Sequence, residues 1–148
     1  MSVGQLETEK HRQGEIEIAR RLSQAFMCDC RPTYTFASFD LLAYRHGEMV
    51  GVVELKDRRG SESYPTLWLA VSKYQPLMTL RDRLNSLSNR SLPVIFVWAF
   101  DDAIYWLDVA DAAGMPRAQG GRTDRGLGAY DIEEMIEVPR TACGKVEW

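Results

Sequence analysis

The chain has too few cysteines for a disulfide framework: Cys28, Cys30 and Cys143 are the only three in 148 residues. An odd number of thiols agrees with a reducing compartment, where they stay free. No run approaches the roughly 20 apolar residues that span a bilayer, and the start Met-Ser-Val-Gly-Gln-Leu-Glu lacks the basic-then-apolar order of a signal peptide. The expected location is therefore cytoplasmic (intracellular), with no membrane partner. An excess of positive charge is missing too. The formal net charge is −3, so the whole molecule exerts no long-range pull on a polyanion, and binding of one must rest on a local basic strip. Cys28 and Cys30 are one residue apart, not two to four, and no histidine pair follows at finger spacing, which argues against structural zinc. Gly121 and Gly126 have phosphate-loop spacing, yet Leu127-Gly128 stands where Lys and Ser or Thr are required, so an ATP site is not expected.

What is present suits one compact domain over residues 1–148: 45% of the residues are hydrophobic and 26% charged, ordinary for a globular chain with a real core. Two apolar runs of strand length, Phe39 to Arg45 and Met49 to Lys56, flank His46-Gly47-Glu48 and predict a β-hairpin with a three-residue loop. With Gly47 at its centre, that loop places Asp40 opposite Glu54 on one face of the sheet. Alternation along the strand puts Lys56 on the same face and Leu55 on the other. Two converging carboxylates repel unless one is protonated or a cation lies between them, and such oxygen ligands suit Mg²⁺ or Mn²⁺. An ion held by Asp40, Glu54 and the carbonyl of Leu55, with the Lys56 ammonium beside the attacking water, is a chemistry suited to a phosphodiester. The plain alternative is an ordinary exposed strand pair, against which the neutral run Val50 to Val53 argues.

Asp40, the spacer and Glu54-Leu55-Lys56 resemble the signature of the PD-(D/E)XK nuclease superfamily, over about residues 10 to 109. Ser38-Phe39-Asp40 stands where the family name has Pro-Asp. Tyr64-Pro65-Thr66 followed by Lys73 is similar to a stretch in several phage-encoded members. The resemblance implies a restriction-endonuclease-like α/β fold, a central mixed β-sheet flanked by helices in α-β-β-β-α-β order. It implies hydrolysis of phosphodiester bonds in DNA with Mg²⁺ or Mn²⁺, and catalytic work by Asp40, Glu54 and Lys56. It further implies that a glutamate on the first helix, here Glu15, assists at a second metal or its water shell. A non-catalytic nucleic-acid-binding or regulatory module with the same fold is the alternative, because a fold does not fix an activity.

The order of elements is also legible from period and punctuation. Leu6 to Phe26 predicts an amphipathic helix, with Glu15 above Ile18 and Ala19 on the core stripe and Glu17 on the wetter side. Cys28 to Pro32 breaks that period, and Thr33 to Phe36 has the content of a short first strand. Thr66 to Val71 reads as extended or helical. A capping box at Ser72 and Gln75 starts a second helix that ends near Leu87 to Asn89 and keeps Pro76 close to its beginning. Pro93 to Phe100 and Ala103 to Val109 form a second hairpin, with Asp101-Asp102 capping its turn through their own backbone. Residues 110–130 read as a flexible Gly/Arg loop, and Ile132 to Val138 as an edge strand or short helix. Trp148 is expected to pack.

Candidate nucleic-acid contacts are Lys73 and Gln75, near the N–H groups of the second helix, Arg58 beyond the strand, and Arg122 and Arg125 on the loop. Each competes with an exposed residue that has no partner. So short a chain offers little surface with which to enclose a duplex, which favours a homodimer.

Overall fold

Alternating and helical hydrophobic periods resolve into α1 (Val3–Phe26), β1 (Asp29–Pro32), β2 (Leu41–Arg45), β3 (Glu48–Asp57), β4 (Thr66–Ala70), α2 (Val71–Leu87), β5 (Val94–Ala99), β6 (Ile104–Asp108), β7 (Arg117–Gly121), β8 (Ile132–Pro139) and β9 (Gly144–Val146). The structure is a computed structural model and describes residues 3–33, 39–121 and 132–148. Six strands form one sheet in the order β1-β2-β3-β5-β6-β9, and three form another in the order β4-β8-β7. Within the large sheet β3 and β5 run parallel and every other neighbouring pair is antiparallel. A mixed sheet flanked by helices is the expected α/β architecture.

The sheet has two covered faces. Ile18, Ala19 and Leu22 of α1 pack on Leu41, Val53, Leu55 and Val97. Leu67, Leu69, Tyr74, Leu77 and Ile136, from α2 and the small sheet, pack on Val52, Val94, Phe96 and Trp98. The indole N–H of Trp98 donates to the carbonyl of Trp68 at 3.0 Å and ties the two sheets together. No helix among the described residues is long and apolar enough to cross a membrane.

The hairpin keeps the expected register by a different route. Arg45 pairs with Glu48, so the turn is the two residues His46-Gly47 (φ 52° and 80°), not three. Both positive φ values fit the tight hairpin turn, and Gly47 takes its value at little steric cost. A bulge opposite the step from Ala43 to Tyr44 then restores Leu42↔Val52 and Leu41↔Val53, the register a three-residue loop would have set.

Other expectations need correction. A strand runs over Asp29–Pro32, where the sequence reads only as a break, while Tyr34 to Phe36 of the expected strand lie outside the described residues. Pro32 is tolerated because β1 is an edge strand, where a missing N–H breaks no ladder. The first helix starts at Val3, before Leu6. Thr66–Ala70 is extended, and α2 follows at once with no side-chain cap. Ser72 donates instead to Glu133 at 2.9 Å, so the capping box does not form.

Residues 110–121 are not a plain loop. They hold a 3-10 turn (Val109–Ala112) and β7, while 122–131 lie outside the described residues. β8 is the middle strand of its sheet, not an edge. Asp101 and Asp102 hold a neighbouring loop rather than only their own turn: Asp101 accepts from the amide of Gly60 at 2.8 Å, and Asp102 from the amide and hydroxyl of Ser63 at 2.8 and 2.7 Å. Trp148 packs through its indole N–H, which donates to the carbonyl of Phe100 at 2.7 Å.

Candidate active site

β2 begins at Leu41, one residue after Asp40, and that late start builds the site. The amide of Asp40 still donates to the carbonyl of Val53 at 3.0 Å, so its backbone stays in line with the hairpin. Its carboxylate, not a further strand residue, takes the amide of Leu55 at 2.7 Å. From the other side Thr33, just past β1, donates its amide to the carbonyl of Asp40 at 2.9 Å and its hydroxyl to the carbonyls of Phe39 and Asp40 at 2.6 and 3.1 Å. Asp40 is therefore fixed at amide, carbonyl and side chain.

Glu54 and Lys56 project from β3 toward α2, while Leu55 between them enters the core under α1. Glu54 is the only buried charged residue among those described. Burial first, then the charge of Asp40 and more weakly that of Glu15, pushes its carboxyl up to about 7; Lys73 and Lys56 oppose the rise. Lys73 Nζ, from the first turn of α2, lies 3.8 Å from Glu54 Oε1. The Lys56 ammonium is held below its ordinary range by burial, by Arg58 and by Lys73, against the pull of Glu54 and Glu133. Asp40, Glu54, Lys56, Lys73 and Glu15 thus act on one another as a single electrostatic cluster.

The remaining expected residues are placed less centrally. Arg58 is exposed, its amide donates to the carbonyl of Ala99 at 2.7 Å, and its charge reaches Lys56. Gln75 is exposed on α2, and no hydrogen bond among the described residues ties it to the carboxylates. Arg122 and Arg125 lie outside the described residues. Two participants were not legible in the sequence: Thr33, whose contacts reach six and seven residues along the chain, and Glu133, which β8 carries in from far along the chain. Neither has a local pattern that marks it.

The donor set can be tested against a hard divalent ion. No group of three or more His, Cys, Asp or Glu side chains among the described residues is arranged to hold a metal, which excludes a closed all-protein cage there. Mg²⁺ does not require one, because it usually keeps several waters and takes one or two carboxylates. A buried Glu54 that resists ionisation beside Asp40 is what such an ion would relieve. The residues fit.

A mixed sheet between helices, with an Asp and a Glu-x-Lys converging at the end of its central hairpin, defines a nuclease of the restriction-endonuclease-like fold. The chain matches the model of the family described as "Phage putative PDDEXK endonuclease" over residues 2–146, and it belongs to that family. A solved structure of Archaeoglobus fulgidus Hjc, a Holliday junction resolvase from an archaeal hyperthermophile, is similar in fold. Its TM-score is 0.55 at 13% sequence identity, covering 90% of this chain and 86% of that one. No curated protein matches the chain.

Proposed function

We propose that the protein is a Mg²⁺- or Mn²⁺-dependent deoxyribonuclease in which Asp40 and Glu54 are the protein's metal ligands, helped by the Leu55 carbonyl, and Lys56 works at the attacking water. The observation that carries this reading is Glu54, buried with a carboxyl at about 7 beside Asp40 and sharing its strand face with Lys56. When bound, the ion supplies a water of lowered pKa and neutralises charge on the phosphate.

The chain's own residues do the rest. Asp40, pinned by Leu55 and Thr33, keeps its carboxylate in place without reorganisation. Lys56, whose proton is held less tightly than usual, orients the attacking water and offsets charge on the phosphoryl oxygens. Lys73 and the free N–H groups of α2 receive a neighbouring phosphate, with Gln75, Arg58, Arg122 and Arg125 as further contacts to the nucleic-acid backbone. Glu15, whose charge reaches Glu54, assists at a second metal or its water shell. An intracellular, homodimeric assembly on a duplex belongs to the same reading.

The test is incubation of supercoiled, linear and branched DNA with Mg²⁺ or Mn²⁺, comparing the native protein with Lys56→Ala and Asp40→Asn. The resolvase neighbour makes branched DNA the first substrate to try. Both changes should lower cleavage by about 100-fold or more, and Asp40→Asn should also weaken calorimetric uptake of Mn²⁺. Cleavage that survives both changes would remove this site.

A further inference from the structure

On the α1 side of the sheet, across from Lys56, lies an open groove of about 440 Å³, within the roughly 300–1,000 Å³ range of small-ligand sites. One wall is α1, which contributes Glu17, Arg20, Arg21 and Gln24; the other is the end of the sheet, with Arg59, Asp101 and Trp148. From the groove and its lining we infer a subsite for an unpaired nucleotide, its base against Trp148 and its phosphate on Arg20 and Arg21. The inference rests on the reading of the protein as a nuclease.

The aromatic wall is built to stay in place. The indole N–H of Trp148 is spent on the Phe100 carbonyl at 2.7 Å, and the Arg59 guanidinium sits 5.6 Å from the ring centroid. Arg59 is itself held by Asp57 at 2.9 Å and by Glu17, so it steadies the ring and neutralises Glu17. Yet 45% of Trp148 remains exposed. A fixed, half-open indole suits base stacking, which every base can offer and which is closed to bases paired within a duplex.

The charge on the opposite wall is available. Arg20 makes no hydrogen bond or ion pair among the described residues, and Arg21 uses only Nε, on the Glu147 carbonyl at 2.7 Å. Guanidiniums match phosphate geometry by their forked N–H groups. Gln24, one turn further along α1, brings an amide that can both donate and accept. Asp101 is the remaining anion, and its carboxylate already accepts from Gly60 at 2.8 Å.

Helix α1 is the element shared by the groove and the active site. At Gly14 the helix passes so close to the sheet that a Cβ there would lie 2.8 Å from both Arg59 Nη2 and Asp57 Oδ2. That contact sets Glu15 beside the carboxylates and Glu17, Arg20 and Gln24 along the groove.

The test uses Lys56→Ala protein, which should bind without cutting. An oligonucleotide with 5-iodouracil in a short unpaired arm should photocrosslink to Trp148, located by mass spectrometry. The affinity ratio of armed over blunt duplex should fall roughly tenfold in Arg20→Glu and in Trp148→Ala; Arg20 is exposed, so its change leaves the fold intact. An unchanged ratio, a crosslink elsewhere, or equal competition by an acidic peptide overturns the subsite. If the native protein cuts no DNA but the Trp148 crosslink forms, the nuclease reading fails and the subsite stands. If it cuts and the ratio is unmoved, the reverse holds.

Discussion

Leu55 and Glu54 are neighbours on β3 and equally hidden, each 9% exposed, yet burial acts on them with opposite sign. Leu55 enters the core under α1, where loss of water contact stabilises the fold. Glu54 faces α2 and the small sheet, and there the same loss of water holds its carboxyl at about 7. One strand therefore carries the platform on one face and the chemistry on the other. On the α2 side β3 gives Val52 to the apolar cluster, and its next two positions on that face, Glu54 and Lys56, are charged.

The contrast is broken most sharply at Lys56. Lys56→Ala should lower cleavage by about 100- to 1,000-fold, the loss expected when a preorganised group at a developing charge is removed. It should move the urea unfolding midpoint little, because Lys56 is exposed on its outer portion and buries little apolar surface. Leu55→Ala is the mirror experiment. A buried Leu on the α1 face should cost about 3 kcal/mol of stability while the folded fraction keeps most of its activity. If both changes destabilise equally and leave cleavage alike, the division of the strand into two faces is wrong.

Glu54 sharpens the comparison through pH. Its carboxyl, ordinarily at 4.5, is at about 7 in the folded protein, so between those values the folded state binds more protons than the unfolded chain. Stability must then fall as pH rises through that window, with the full cost present above it. Converted at 1.36 kcal/mol per pKa unit, the penalty is about 3 kcal/mol. Glu54→Gln should be more stable than the native protein by that order at pH 8 in EDTA, and nearly equal to it at pH 4.5. Mn²⁺ at pH 8 should stabilise the native protein and not the variant. Urea midpoints at the two pH values decide it, and a Gln variant less stable at pH 8 would contradict the assigned burial cost.

How much of this was legible in the chain follows from the range of each interaction. The hairpin register, the shared face of Glu54 and Lys56, and the stripe of Ile18 and Leu22 follow from periods of two and 3.6 residues, which are local. The two-residue turn escaped notice because the bulge cancels its offset. The strand at Asp29–Pro32 is hidden because Pro32 reads as a breaker until β1 is known to lie at an edge. The small sheet was hidden for a deeper reason: β4 pairs with β8, some seventy residues away, as in Leu69↔Ile136. A strand's partner across that distance leaves no mark in its own period. Glu133 comes to Ser72 and Lys56 only through that pairing.

Thr33 offers the smallest and most specific effect. Its hydroxyl bonds the carbonyls of Phe39 and Asp40, so it acts on the site only through the backbone that carries the Asp40 carboxylate. Thr33→Val keeps the shape and removes the donor, which should cost about 1 kcal/mol of stability and a few-fold in kcat. Thr33→Ser restores the donor and should recover kcat even if the lost methyl still lowers stability. A merely structural role would make activity follow stability across both variants. A positioning role makes the Ser variant active and the Val variant slow, with affinity for DNA the same in both.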